Sequence, residues 1–112
     1  MKVEFGMVFV LLLLAHLLYD FHWQGEFIAQ NKGKYALIMG VHVVTWTLII
    51  VVVLWVTIGR LTWWQPIFLF VTHWITDSWK ASLPREIGMG WPLWVDQGIH
   101  LSTLVIVWLL AR

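Results

Sequence analysis

Four stretches of mostly apolar residues, near Val3 to Trp23, Tyr35 to Ile58, Leu61 to Trp79 and Trp91 to Ala111, take up most of this 112-residue sequence. Crossing the hydrocarbon of a bilayer takes about 20 such residues at ~1.5 Å each, so every stretch is long enough to span. Lipid offers no partner to a free backbone group, which leaves only helices or a closed barrel, and four uniformly apolar runs are too few to close a barrel. The expectation is an all-α integral membrane protein, residues 1–112 forming a single four-helix bundle that runs up, down, up, down. The connectors agree with that path. Gln24 to Lys34 contains Glu26, Lys32, Gly33 and Lys34, and Lys80 to Gly90 contains Pro84, Arg85 and Glu86, whereas only a tight Gly59-Arg60 turn separates the second span from the third.

Composition narrows the function classes. With 61% hydrophobic and 12% charged residues, the chain lies outside the range of soluble domains. A formal net charge of +1 without any basic run gives no electrostatic footprint for nucleic acid. Cysteine is absent, so any metal is held by nitrogen and oxygen. The 10 tryptophans suit a protein with much surface at the headgroup level. Lys2 and the Leu-rich first span loosely resemble a secretion signal, but no small-x-small site follows and the span carries His16 and Asp20, so it is expected to stay as a span. Lys32, Lys34, Lys80 and Arg85 on one side outnumber Lys2, Arg60 and Arg112 on the other, which places the first and third connectors in the cytoplasm.

The ionisable residues are not scattered. Every aspartate lies four residues from a histidine: His16 with Asp20, His73 with Asp77, and Asp96 with His100. Residues four apart share a helix face. His42 lies on the remaining span, so each span carries a histidine near the same leaflet, roughly 10 Å below one interface at the helical rise, with the aspartates a turn nearer the surface. An internal repeat supports this arrangement, because His16 and His73 are 57 residues apart and His42 and His100 are 58 apart. Two similar helical hairpins related by an axis along the membrane normal would bring His16, His42, His73 and His100 together.

A single His-Asp pair in a span reads most readily as a hydrogen-bonded seam between helices. A layer of seven ionisable residues is too costly for that role alone, since each such group costs a few kcal/mol to insert and an interhelical polar contact returns about 1 kcal/mol. The expected site is a divalent metal centre built from His16, Asp20, His42, His73, Asp77, Asp96 and His100. Imidazole and carboxylate suit zinc, manganese or iron. Two ions with an aspartate bridging are one arrangement, and one ion with the aspartates orienting the histidines from behind is the other. Asp20, Asp77 and Asp96 are the candidate catalytic carboxylates. The chemistry that fits is metal-dependent hydrolysis of a phosphoester or lipid headgroup, with Lys32 and Lys80 attracting the anion and membrane lipids as partners. Gln24 and Gln97 are placed to orient carboxylates. His22 is off the His16-Asp20 face and reads as interfacial, while Thr45, Thr47, Thr72, Thr76 and Ser102 are expected to return their hydroxyls to the backbone. No serine elbow and no glycine-rich phosphate loop is present.

The motifs H-L-L-Y-D-F-H-W-Q, H-W-I-T-D-S-W-K and D-Q-G-I-H-L-S-T-L, in that order, resemble the small bacterial and phage integral membrane family known as domain of unknown function 3307. The resemblance spans nearly the whole chain and implies a helical protein of the bacterial inner membrane. It places His16, Asp20, Gln24, His73, Asp77, Lys80, Asp96, Gln97 and His100 in the family pattern and implies no activity. The pattern often has a second histidine one turn after the position of His42, where this chain has Trp46. Rival classes are a haem protein, an ion or proton pathway, and a phage or host membrane interaction factor with a structural polar layer. A carboxylate one turn from three histidines argues against haem. The nearly continuous apolar residues toward the Gly59-Arg60 turn argue against a polar path within one chain, which would then need a homo-oligomer.

Overall fold

The computed structural model describes residues 3–83 and 90–111, so Lys2, Pro84, Arg85, Glu86 and Arg112 of the connector and charge arguments lie outside the described residues. Five α-helices follow in order among the described residues: α1 (Phe5–Leu18), α2 (Glu26–Asn31), α3 (Ala36–Ile58), α4 (Trp64–Ala81) and α5 (Trp91–Leu110). No strand occurs among these residues. α1 packs on α3 and α5, α4 packs on α3 and α5, and the short α2 lies against α3. The long axis of the molecule is 44 Å, close to the thickness of a bilayer with its headgroups, about 40–45 Å.

Among the described residues three helices are long and apolar enough to cross a membrane: α1 with the turn that extends it (Phe5–Trp23), α3 and α5. Each has a greasy outer stripe at helical spacing. On α1, Met7, Val10, Leu14 and Leu17 are exposed while Val8, Leu12, Ala15 and His16 are buried. α4 differs in being polar on its inner face, where Gln65, His73, Thr76 and Asp77 are buried and Ile67, Val71 and Ile75 point outward. Its lower hydropathy therefore comes from what it turns toward its neighbours.

Local signals explain the ends. Gly59 closes α3 in the left-handed conformation at φ +80°, with its N–H donating to the Trp55 carbonyl at 2.9 Å, a position that favours glycine because it has no Cβ. The following turn is held by Gln65, whose Oε1 accepts from both the Thr62 amide and its hydroxyl. Pro92 sits in the first turn of α5, where its missing N–H costs nothing. At the far end, Phe5 stacks on Trp108, whose indole N–H donates to the Phe5 carbonyl at 2.7 Å. The core toward this end is Leu12, Ile50, Leu54, Leu69, Leu104 and Val107.

Two features lie beyond the sequence reading. Tyr19–Trp23 continues α1 as a π-helical turn, and the first connector contains α2, which packs on α3. A widened turn of this kind re-aims the residues that follow it. Gln24 consolidates it, its backbone N–H donating to Tyr19 O at 2.9 Å and its side-chain amide to Asp20 O at 2.8 Å.

Gly33 brings the α2-α3 link against the end of α4 so closely that a Cβ there would lie 2.9 Å from the Ala81 Cβ. Gly33→Ala should therefore lower the melting temperature of the detergent-purified protein, by the equivalent of about 1–3 kcal/mol of overpacking. Adding Ala81→Gly removes the colliding methyl and should restore most of the loss. An additive double variant would show that the two chains do not touch there.

Candidate metal centre

All four layer histidines are fully buried, and their rings lie in contact: His42 with His73 at 5.0 Å between centroids, His73 with His100 at 4.1 Å, and His16 with His100 at 5.6 Å. They arrive from α1, α3, α4 and α5, so the helices do place one imidazole each in a common layer. Three of them, His42, His73 and His100, converge on a single carboxylate. Asp77 Oδ2 lies 2.8 Å from His42 Nε2 and 3.2 Å from His73 Nε2, and those two nitrogens are 3.0 Å apart. The other oxygen, Oδ1, lies 3.0 Å from His100 Nε2, which is itself 3.1 Å from Asp96 Oδ1.

These two triangles of donor atoms could hold a cation. If His42 and His73 both donate to Asp77 Oδ2, their N–H groups face each other across 3.0 Å. Among the described residues Asp96 Oδ1 makes no hydrogen bond despite its nearness to His100, and neither does Asp20 Oδ1, although both are buried. Donors around a tetrahedral ion with bonds of about 2.0–2.1 Å stand roughly 3.3 Å apart. The observed edges come near that spacing. Among the described residues three overlapping groups bring one ligand atom from each residue within 4.8 Å of the others: His42, His73 and Asp77; Asp77, Asp96 and His100; and, more loosely, Asp20, His73 and His100.

His16 stands apart from these groups. The Trp46 indole, which can only donate, gives its N–H to His16 Nδ1 at 3.0 Å. That fixes the proton of a neutral His16 on Nε2, which donates to Gln97 Oε1 at 2.8 Å. With both nitrogens engaged, His16 has no lone pair to offer, so in this geometry it supports the site and does not ligate. Asp20 is nearer the centre, its Oδ1 being 3.8 Å from His42 Nε2 and 4.0 Å from His73 Nε2. The alternative in which aspartates orient the imidazoles from behind is not the arrangement found: Nδ1 of His42, His73 and His100 has no hydrogen-bond partner, and the carboxylates of Asp77 and Asp96 lie on the Nε2 side.

The remaining expected residues fall out as follows. Gln97 donates to Asp96 Oδ2 at 2.9 Å and so orients that carboxylate. Gln24 does not reach a carboxylate; its oxygen accepts from Lys32 at 3.3 Å, because the π turn directs its amide to a backbone carbonyl. Lys32 crosses from the end of α2 to Asp77 Oδ2 at 3.3 Å, and Lys80 lies 3.7 Å from Asp96 Oδ2. His22 is exposed. Thr45, Thr72, Thr76 and Ser102 each bond the carbonyl four residues earlier, whereas the buried Thr47 hydroxyl makes no hydrogen bond among the described residues.

Tyr19 escapes the sequence reading, and Trp46 enters it only as the place where the family pattern often has a second histidine. Tyr19 stacks on His42 with ring centroids 5.5 Å apart, and Trp46 stacks on His73 at 4.1 Å while bonding His16. Above the carboxylates lies a cleft of about 250 Å³ that reaches Asp20, Asp77, Asp96, Lys32 and Lys80.

A family model described as a protein of unknown function, DUF3307, matches residues 8–112. No curated protein and no solved structure matches the chain.

Removing the indole donor while keeping an aromatic ring tests the His16 arrangement. Trp46→Phe leaves His16 Nδ1 buried and unpaired, at a cost of about 1–3 kcal/mol, and should lower the melting temperature accordingly. Imidazole ¹⁵N shifts of the wild type should report His16 as the neutral Nε2–H tautomer. An Nδ1–H tautomer would contradict the assignment.

Proposed function

The chain belongs to the DUF3307 family of proteins of unknown function, and from the geometry of its own side chains we propose that it is a metal-binding protein of the bacterial inner membrane that hydrolyses phosphoesters at the membrane interface. In this reading α4 is a fourth span and the four long helices form an up-down-up-down bundle. Its outward Ile67, Val71 and Ile75 suit lipid, and its buried polar residues need shelter from it. Lys32, Lys34 and Lys80 lie at the site end and Arg60 in the opposite turn, which favours a cytoplasmic site.

The observation that carries the reading is the Asp77 carboxylate, met by Nε2 atoms from α3, α4 and α5 at 2.8 to 3.2 Å. Its two oxygens face different partners, His42 and His73 on one side and His100 with Asp96 on the other. Zinc, manganese and iron are all compatible with this donor set. When bound, such a metal would make water a nucleophile near neutral pH and stabilise the charge of a phosphoryl displacement. The chain supplies the rest. His42, His73, His100, Asp77 and Asp96 would hold the metal, and Asp20 Oδ1, buried with no hydrogen bond among the described residues, would take a proton from water. Trp46 closes the floor and keeps bulk water out.

Two rivals lose support. The rings of His73 and His100 are stacked at 4.1 Å, beside a shared carboxylate, which leaves no slot for a porphyrin between them. Beyond Trp46 the described core is mainly Ile50, Leu54, Leu69, Leu104 and Val107, with Thr47, Thr57, Gln65 and Thr103 as scattered buried polar residues, which favours no proton route to the far side.

Elemental analysis of the detergent-purified protein tests the centre. The wild type should retain zinc, manganese or iron, His73→Ala, Asp77→Ala and His100→Ala should lose it, and His22→Ala and His16→Ala should keep it while still inserting. Metal retained by the three site variants would sink the assignment. Given a loaded protein, metal-dependent release of phosphate from amphiphilic phosphoesters, abolished by Asp77→Ala, tests the hydrolase step. A loaded protein that releases none would reduce the reading to metal binding.

A further inference from the structure

The two lysines of the cleft are engaged by the carboxylates that would hold metal. Lys32 Nζ lies 3.3 Å from Asp77 Oδ2, the oxygen that also faces His42 and His73, and Lys80 Nζ lies 3.7 Å from Asp96 Oδ2. Neither ammonium is free in solvent, since the side chains are only 22% and 31% exposed. Lys32 has one other polar contact, the Gln24 oxygen at 3.3 Å. Both line the same cleft of about 250 Å³, with Gln24 and Gln97 as further polar groups and Phe21 and Leu93 as apolar ones.

We propose that Lys32 and Lys80 are latches which a divalent cation releases from Asp77 and Asp96, so that the cleft takes a phosphate-bearing headgroup only after the metal has bound. The inference rests on the metal-centre reading. Its cause is charge. Without an ion both ammoniums of the cleft are taken up by the carboxylates Asp77 and Asp96, with Asp20 as a third carboxylate, so the lysines are not available to an anion. A divalent cation adds positive charge and takes over the carboxylate oxygens the lysines were neutralising. The freed ammoniums are then left in a half-buried cleft with the neutral Gln24 oxygen beside Lys32, and an anion is the partner that meets their charge; a phosphate is compact, multiply charged and able to accept from both. Apolar Phe21 and Leu93 beside it suit the carbon side of an amphiphilic phosphate. Until the ion arrives, Lys32 competes with it for Asp77.

Competition and cooperation give effects of opposite sign, which a merely structural lysine would not. The measurement is the affinity of the full-length protein for manganese, by chelator competition, first alone, then with inorganic phosphate, then in phosphatidylcholine nanodiscs with and without phosphatidic acid. Linkage requires that an anion which waits for the metal also tighten the metal, by about tenfold for a coupling of ordinary size. Lys32→Met should bind manganese several-fold more tightly than wild type when no anion is present, and should lose most of the tightening that the anion confers. Lys80→Met should behave likewise, more weakly, and Lys34→Met should match the wild type. Tightening by phosphatidic acid alone identifies a lipid headgroup, and tightening by inorganic phosphate identifies a soluble phosphate. If manganese binds but neither anion tightens it, or if Lys32→Met weakens manganese in the absence of anion, the latch is overturned and the metal centre stands. If the wild type binds no ion, the metal centre fails and the latch fails with it.

Discussion

A carboxylate buried among helices must find its partners among neighbouring side chains, and Asp77 is the point where that requirement is met. It gathers His42, His73 and His100 on its two oxygens and draws Lys32 inward from α2. The rest of the layer is arranged around it. Isolated, an ionised carboxylate at this depth would cost several kcal/mol. Shared among three imidazoles and an ammonium, it becomes the contact that ties α3, α4 and α5 together and pins the first connector to the bundle. α4 can afford so polar an inner face because Asp77 meets the imidazoles of His42 on α3 and His100 on α5.

The pseudo-repeat in the sequence makes the two hairpins look equivalent, and the structure shows where they part. His16 and His73 occupy matching places, yet His73 faces Asp77 with a free edge while His16 is tied on both nitrogens. The difference lies in what surrounds each ring. Trp46 and Gln97 saturate His16, and the positions that match them in the other hairpin are Leu104 and Met39, which offer neither an indole N–H nor an amide. A repeat of ligand types therefore yields an asymmetric centre: the donors cluster toward α4 and α5, and the first hairpin contributes His42, Asp20 and a hydrogen-bond chain. That chain runs one way, from Trp46 through His16 and Gln97 to Asp96 Oδ2, because its first member can only donate and its last can only accept. It leaves Asp96 Oδ1 turned toward His100.

The layer itself was legible in the sequence because two periodicities fix it. The four-residue His-Asp spacing sets the face, and the alternation of helix direction sets the depth. Neither depends on side-chain detail. Which aspartate becomes the hub was not legible, because Asp20, Asp77 and Asp96 look alike in a spacing argument and differ only in how many imidazole edges reach them. Lys32 was read as attracting an anion, but its contact with Asp77 depends on α2, and six residues in a connector give no apolar periodicity to announce a helix. Gln24 was misplaced for a related reason: straight helical geometry puts it one turn past Asp20, and the π turn sends its amide to the backbone. The saturation of His16 needed the orientation of a tryptophan ring, which no spacing supplies.

The position of the centre along the helices follows from a conflict between its two requirements. Ligand carboxylates are held best where water is scarce, since a low dielectric strengthens every contact to an ion. In the proposed function an ion and a charged headgroup nevertheless have to arrive from water. A site at the bilayer midplane would satisfy the first condition and fail the second, and one at the surface would do the reverse. Here Trp46 is fully buried beside an apolar core, while the cleft above the carboxylates opens between Lys32 and Lys80. Those lysines resolve the conflict because their long stems let the ammonium reach inward to a carboxylate or outward to an anion. A compact residue in either place could do only one of the two.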